Sequence, residues 1–582
     1  MLAELVISGF RYVSKNPLET QLVVILGFLI YYLIVYPFYL SPLRKIPGPY
    51  FHRISYFQAL NSQRNSCWIQ KVHKLHLKHG NVVVLSPNEI SVNGKYKFIN
   101  DLYVKNMPKS KFYENFRNHG FKDNIFASLE NDRHLRYKKI VMSLYSKSSI
   151  FSKKNNTRDI IVEKVGQLVN AVATSSVTGE EPDHINARSI ENEHGKGHKL
   201  RDGTWFNSQG KTRNLGIDVY SLFAALAMDV VSSFELGKEN GTDLLLHPEK
   251  RHIIVSHRTV ASMVFWTTLM PRFWDMAAST KVKKASGDIL DWQLKLYAKA
   301  EQNVPKFRDD ENLTTLEALK RAGLDGEYAY SFLTDNIFAG HETTAIQLTY
   351  LCYELSRPSN FGIQVALRRE LENAFGKPNS TTDVINDLET VDSLPYLNAI
   401  LDENSRVHTS IPGAEPRVVD KPYTVELGSG EEISLPKGTV ISCLPFSVHR
   451  QEDVFPSPNQ FIPERWLQYE QESTEDFKAR IKTQNKFMMP FGKGIRMCLG
   501  MNVALIEMKL AIANLYWHYN SKICADWCDV TEYPSDKVPK EILLGEDSKG
   551  SNRTDEEKMV MVDNYTIRPL NDECWLEWYR NT

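Results

Sequence analysis

The chain has 582 residues and carries 70 basic against 70 acidic side chains, so bulk charge gives no reason to expect nucleic acid as a partner. Apolar residues make up 42% and charged residues 24%, the balance of a globular enzyme and not of a disordered or fibrous chain. Seven cysteines, odd in number, exclude a dense disulfide framework, and Cys524 and Cys528 have no second pair nearby to complete a zinc site.

Residues 1–20 form a lead of mixed charge. From Gln21 to Leu40 there is no charged residue, and about 20 residues at 1.5 Å each cross a ~30 Å hydrocarbon layer. A buried core helix and a cleaved signal peptide are the alternatives. The terminal position, the absence of a small-residue cleavage site and the basic stretch that follows favour a transmembrane anchor. Pro37 would kink its end. Arg44, Lys45 and Arg53 follow the run, whereas Arg11 and Lys15 precede it, opposed by Glu4 and Glu19; this bias places the body in the cytosol. Residues 41–50, with Ile46-Pro47-Gly48-Pro49, form a stiff hinge. No second run of this length is expected.

Residues 51–582 read as one large catalytic domain, mainly α with a smaller β-sheet part. Asn81 to Pro87 and Glu89 to Val92 suggest a strand pair, with Asn93-Gly94 as a turn after it. Residues 124–150 look helical. Residues 176–215 are polar and read as a surface insertion. Helical patterns run from about Ile217 to Arg406. Between Arg417 and Leu444 the texture changes to short strands around Tyr423 to Val425, Ile433 and Val440 to Cys443. Residues 529–557 read as a second insertion.

The segment Phe491-Gly-Lys-Gly494-Ile-Arg496-Met-Cys498-Leu-Gly500 carries the chemistry. Its glycines allow a tight turn and the close approach of backbone to a flat cofactor. Met501 to Tyr519 then reads as a helix, so Cys498 stands at a helix N-terminus, where free N–H groups favour a thiolate. Arg496 adds a fixed positive charge suited to a carboxylate. A lone cysteine is more often a buried structural thiol. The filled pattern Phe-x-x-Gly-x-Arg-x-Cys-x-Gly, however, resembles the haem-binding loop of the cytochrome P-450 monooxygenases, in which cysteine ligates haem iron.

That resemblance implies the cytochrome P-450 fold, haem b as cofactor and Cys498 as the axial ligand of its iron. Phe491, Gly494, Arg496 and Gly500 would line the haem. Ala339-Gly340-His341-Glu342-Thr343-Thr344, inside a helix expected from about Gly326 to Arg357, resembles the family's oxygen-activation motif. Gly340 would leave room above the iron, Thr343 would hold the oxygen being activated, and Glu342 would relay protons from solvent. His134 and Lys138, four residues apart, and Arg417 resemble propionate contacts. Glu403 and Arg406, at i and i+3, would join Arg465 of Pro463-Glu-Arg-Trp466 in a buried structural ion network.

The implied reaction inserts one atom of dioxygen into a small, largely apolar substrate: a lipid, an aromatic compound or a secondary metabolite. No Gly-x-Gly-x-x-Gly opens a βαβ unit, so the electrons are expected from a separate NADPH-dependent cytochrome P-450 reductase, with cytochrome b5 as a second donor. Lys138, Lys139, Lys486 and Lys493 would present a basic face to it. The implied location is the endoplasmic reticulum membrane, single-pass, in contact with lipid and with no nucleic acid partner. A haem-thiolate isomerase or dehydratase that needs no reductase, and a non-catalytic haem sensor, are the competing readings. The pair Glu342-Thr343 argues against the first, which has less use for a proton relay.

Overall fold

A computed structural model describes residues 17–175, 216–304, 312–524, 527 and 554–581. The insertion expected at 176–215 lies outside the described residues. So does the one at 529–557, except its last four residues, which open a short helix, Thr554–Lys558.

Helix α1 (Pro17–Ile30) continues in wider, π-helical turns over Tyr31–Leu40. Ser41 N–H donates to Tyr36 O at 2.7 Å, a five-residue step that accommodates Pro37, which has no N–H to give. Within Tyr31–Leu40 only Pro37 is buried, so most of the apolar surface of this helix is exposed, apart from its end, where Phe38 stacks on Tyr50 at 5.2 Å. Thr20–Leu40 is long and apolar enough to cross a membrane. A second stretch, Val219–Leu236, passes the same length and composition test, contrary to expectation. It is a core helix, since 94% of it is buried.

The body is mostly helical with small sheets. Strands β1 (Val82–Ser86) and β2 (Glu89–Val92) form the expected antiparallel pair. Residues 124–150 do not make one helix. Helix α2 (Asn131–Val141) ends, and Ser146 starts a new helix, Lys147–Phe151, by accepting Ser149 N–H at 3.2 Å. Strand β3 (Ile217–Asp218) leads into α3 (Val219–Leu236), followed by α4 (His252–Ala261). The long helix α5 (Glu327–Ser356) has 30 residues and spans roughly 45 Å. It stops where Arg357 turns to an extended conformation before Pro358. Helix α6 (Pro395–Val407) packs on it and brings Glu403 and Arg406 into the interior.

Strands β4 (Arg417–Val418) and β7 (Val440–Ser442) complete a sheet of order β1-β2-β7-β4, beside a hairpin of β5 (Tyr423–Glu426) and β6 (Glu432–Leu435). Helix α7 (Met501–His518) leads into β8 (Tyr519–Ile523). Strands β9 (Val562–Asn564) and β10 (Thr566–Arg568) form a hairpin, and β11 (Trp575–Arg580) pairs with both β3 and β8. Late residues therefore tie together the start of α3 and the end of α7. The larger apolar core surrounds α3, α5 and α7.

The network expected around Glu403 is present. Arg406 donates Nη2 and Nε to its two oxygens at 2.7 and 2.9 Å, and Arg465 Nε donates to Oε1 at 3.0 Å. Trp466 Nε1 and Ile462 N–H also reach the carboxylate, at 3.0 and 2.9 Å. Glu403 and Arg406 are fully buried, and their mutual pairing and hydrogen bonds offset the cost of burying polar groups.

Candidate active site

The cysteine loop closes on itself. Cys498 N–H donates to Phe491 O at 2.9 Å, Met497 N–H to Gly494 O at 3.1 Å, and Gly492 N–H to Met489 O at 3.0 Å. A Cβ on Gly494, whose φ is +70°, would lie 2.2 Å from Tyr103 O, so no side chain fits there. Outside groups hold the loop as well. Met489 N–H donates to His449 Nε2 at 2.9 Å, and Lys138 Nζ donates to Ile495 O and Met497 O at 3.0 and 3.1 Å.

Cys498 lies just before α7, whose N-cap is Gly500. Burial raises its thiol pKa, while the N–H groups of Gly500 and Met501 and the charge of Lys138 pull it down. The helix terminus thus acts in the expected direction, but burial outweighs it. Cys67, Cys352, Cys443, Cys524 and Cys574 are buried free thiols, whereas Cys498 is exposed, in a loop none of whose residues from Phe491 to Gly500 is fully buried. Its sulfur is open to the space beside the loop.

Helix α5 runs unbroken through the expected motif. Ala339 is exposed and Gly340 and Thr343 are half-buried in a helix that is otherwise largely buried here. Thr343 Oγ1 donates to Ala339 O at 2.7 Å, and Ser410 Oγ donates to Thr343 O at 2.9 Å. The room expected at Gly340 is not there. A Cβ would lie 2.7 Å from Val231 Cγ2, so this glycine lets α3 and α5 approach closely, and Ala339 is the small residue that faces open space. Glu342 is buried behind Thr343. Its Oε1 accepts the Thr566 hydroxyl at 3.0 Å, and its Oε2 has no partner. Burial raises its pKa, opposed by Arg568, Thr566 and Arg258. A cavity of about 10 Å³, lined by Tyr220, His257, Arg258, His341 and Glu342, adjoins the carboxyl. It is about large enough for one water.

Unpaired nitrogens test whether these residues suit a haem. His134 Nδ1, Arg417 Nε and Arg496 Nε are buried and lack acceptors. Lys109 lies over the Tyr113 and Phe126 rings at 4.0 and 4.4 Å, and burial together with Arg417 and Arg496 depresses its ammonium. Glu415 offsets part of this charge, paired with Arg417 Nη2 at 3.8 Å. Cations and N–H groups thus converge where two propionates would be neutralised, beside a sulfur with two N–H groups aimed at it, so the residues fit. Lys138 departs from its expected part, having turned its ammonium to the loop carbonyls. Arg496 keeps one free nitrogen, because Nη1 donates to Ser128 O at 2.6 Å and Nη2 to Leu129 O and Asn131 Oδ1, both at 2.9 Å. His449, Tyr103, Lys109, Tyr565 and Thr566 belong to the site as well. Sequence reasoning passed over them, and no local motif marks them.

The family model for cytochrome P450 matches residues 204–544. The cytochrome P450 monooxygenase hkm5 of Aspergillus hancockii is 25% identical over 521 residues, covering 84% of this chain and 87% of the relative. The cytochrome P450 monooxygenase BOT1 of Botryotinia fuckeliana is 26% identical over 555 residues, covering 89% and 94%. A shorter match, 32% over 234 residues, joins 39% of this chain to 41% of the cytochrome P450 monooxygenase astJ of Aspergillus oryzae. The matched stretch contains both the cysteine loop and helix α5, and the chain belongs to the cytochrome P450 family, whose cofactor is haem.

Proposed function

We propose that this protein is a haem-thiolate monooxygenase that converts a small organic substrate RH to ROH. The balance is RH, O2, two electrons and two protons in, ROH and water out. The observation that carries the reading is the placement of a buried acid, Glu342, directly behind Thr343 on α5, in a chain whose Cys498 loop is built to hold iron. Bound haem would supply oxygen activation, with the thiolate donating electron density that helps split O–O. The chain's own residues do the rest. Cys498 would hold the iron; Arg417, Arg496 and His134 would neutralise the propionates. Thr343 Oγ1 would give up its bond to Ala339 O to bind oxygen, and Glu342 would pass protons toward it. The names of the relatives, all cytochrome P450 monooxygenases, support this reading.

Electrons would come from a separate NADPH-dependent reductase, with cytochrome b5 as a second donor. Exposed Lys139 and Lys486 remain available to an acidic partner, whereas Lys138 and Lys493 are engaged with backbone carbonyls. Residues 21–40 would anchor a cytosolic domain, residues 51–582, to the endoplasmic reticulum membrane. The exposed rings of Tyr50, Phe51, Tyr56 and Phe57 beside the hinge support a body that rests on lipid.

The test is reconstitution of the full chain with haem and an NADPH-dependent reductase, followed by comparison of metabolite extracts with and without NADPH. Products heavier by one oxygen, dependent on NADPH and absent from Cys498→Ser, are expected. An isomerised or dehydrated product formed without the reductase overturns the proposal.

A further inference from the structure

Asp335 has no part in the chemistry above. It shares one face of α5 with Ala339 and Thr343, since steps of four residues return to nearly the same side of a helix. Its neighbours are satisfied: Thr334 Oγ1 is bonded to His119 Nε2 at 2.7 Å and Tyr297 OH at 2.9 Å, and Asn336 Nδ2 donates to Tyr145 OH and Glu235 Oε2, both at 3.2 Å. The Asp335 carboxyl accepts no hydrogen bond and forms no ion pair among the described residues.

It is half-buried, on the same face as exposed Ala339 and half-buried Thr343, and burial pushes its pKa up to about 7. Lys109, whose ammonium lies over the Tyr113 and Phe126 rings, opposes that rise. Beside Lys109 stands an aromatic wall. Phe116 lies 4.9 Å from Tyr565, 5.1 Å from Phe126 and 5.5 Å from Phe112 between ring centroids. An unpaired carboxyl in such surroundings is costly unless something that enters satisfies it.

We propose that Asp335 selects the substrate by accepting a hydrogen bond from a donor head, a hydroxyl or a protonated amine, while Phe112, Phe116, Phe126 and Tyr565 cover its apolar remainder. This rests on the haem-thiolate reading. The rise per residue puts Asp335 roughly 6 Å along the helix from Ala339 and roughly 12 Å from Thr343, so oxidation falls at a carbon remote from the head. The substrate is then less uniformly apolar than the sequence suggests.

The test uses the haem-loaded full chain and 1-alkylimidazoles, whose ring ligates iron while the tail reaches along α5. A series of tail lengths ends in hydroxyl, methoxy or protonated dimethylamino. Dissociation constants come from the shift of the haem absorption band in wild type, Asp335→Asn and Asp335→Leu. For a hydroxyl head, the hydroxyl tail binds about fivefold tighter than methoxy in wild type and Asp335→Asn, and the advantage vanishes in Asp335→Leu. For an ammonium head, the dimethylammonium tail is favoured about tenfold in wild type and loses this in both variants. Equal tail preferences in all three proteins overturn the role of Asp335. The carbon monoxide spectrum is recorded on each protein. A thiolate-type band in all three keeps the underlying reading intact whatever the tails do, and its absence from wild type overturns both.

Discussion

Thr566 donates its hydroxyl to Glu342 Oε1 at 3.0 Å, tying the β9–β10 hairpin to the middle of the central helix. Tyr565, at the tip of that hairpin with φ +73°, is thereby held against the aromatic wall. One bond fixes both the orientation of the acid and the place of that ring. Thr566→Val should leave haem binding and the carbon monoxide spectrum unchanged while product per NADPH consumed falls several-fold. Glu342→Gln should lower turnover further, about 100-fold, the range for loss of a proton-transfer group. Unchanged product per NADPH in Thr566→Val would show that Glu342 needs no such orientation.

The two glycines near Cys498 should differ. Gly494→Ala places a Cβ on Tyr103 O and forces a left-handed residue, so haem content should collapse. Gly500→Ala meets no protein atom within 4 Å and should retain more haem than Gly494→Ala. Haem per polypeptide, from absorbance against protein concentration, decides this.

Gly340→Ala should cost about 1–3 kcal/mol through overpacking against Val231. Val231→Ala in the same chain should recover most of it. Thermal midpoints of the four proteins in this cycle measure the coupling, and additive losses would place the clash elsewhere.

Glu507, on α7, is buried with Oε1 unpartnered, and burial raises its pKa from 4.5 to about 8. Between those values the folded chain keeps a proton that the unfolded chain releases. Its contribution is therefore complete below about pH 4.5 and is lost as pH rises through about 8, at no more than about 1.4 kcal/mol per unit. Glu507→Gln stays neutral throughout and should gain thermal midpoint over wild type as pH rises from 5 to 8.5. His449 acts in the opposite sense. Burial, with Arg406 and Arg450, lowers it to about 3, so its contribution is full above 6.5 and is lost as pH falls through that range. Since His449 accepts Met489 N–H, haem release on acidification should accompany its protonation.

What the sequence disclosed was local. The cysteine loop is a contiguous run whose glycines have one purpose, and the bounds of α5 follow from Gly326 and Pro358. Glu403, Arg406 and Arg465 could be joined because each sits in its own short pattern. Trp466 stood in view beside Arg465, yet nothing in the text of the chain says that its indole N–H reaches Glu403. The misreadings arose where distant segments meet. Gly340 reads as space for a ligand until Val231 of α3 is seen against it. Lys138 has a length suited to a propionate, and it instead spans to carbonyls 357 and 359 residues away. Thr566 and Tyr565 carry no motif at all, and Asp335 looks like any polar residue of a long helix. The second apolar helix, Val219–Leu236, passed unremarked because its polar residues Ser221, Asp229, Ser232 and Glu235 break the run while pairing inside the core.

The threonine that tethers the acid lies 224 residues downstream of it. During synthesis α5 and its carboxyl are made long before the hairpin that satisfies them, and the cysteine loop also precedes that hairpin. A nascent chain can thus present an iron ligand while one side of its cavity is still missing. Cofactor admitted in that interval would sit in a wet, unroofed cleft, so loading should be productive only after residue 566 has been made and docked.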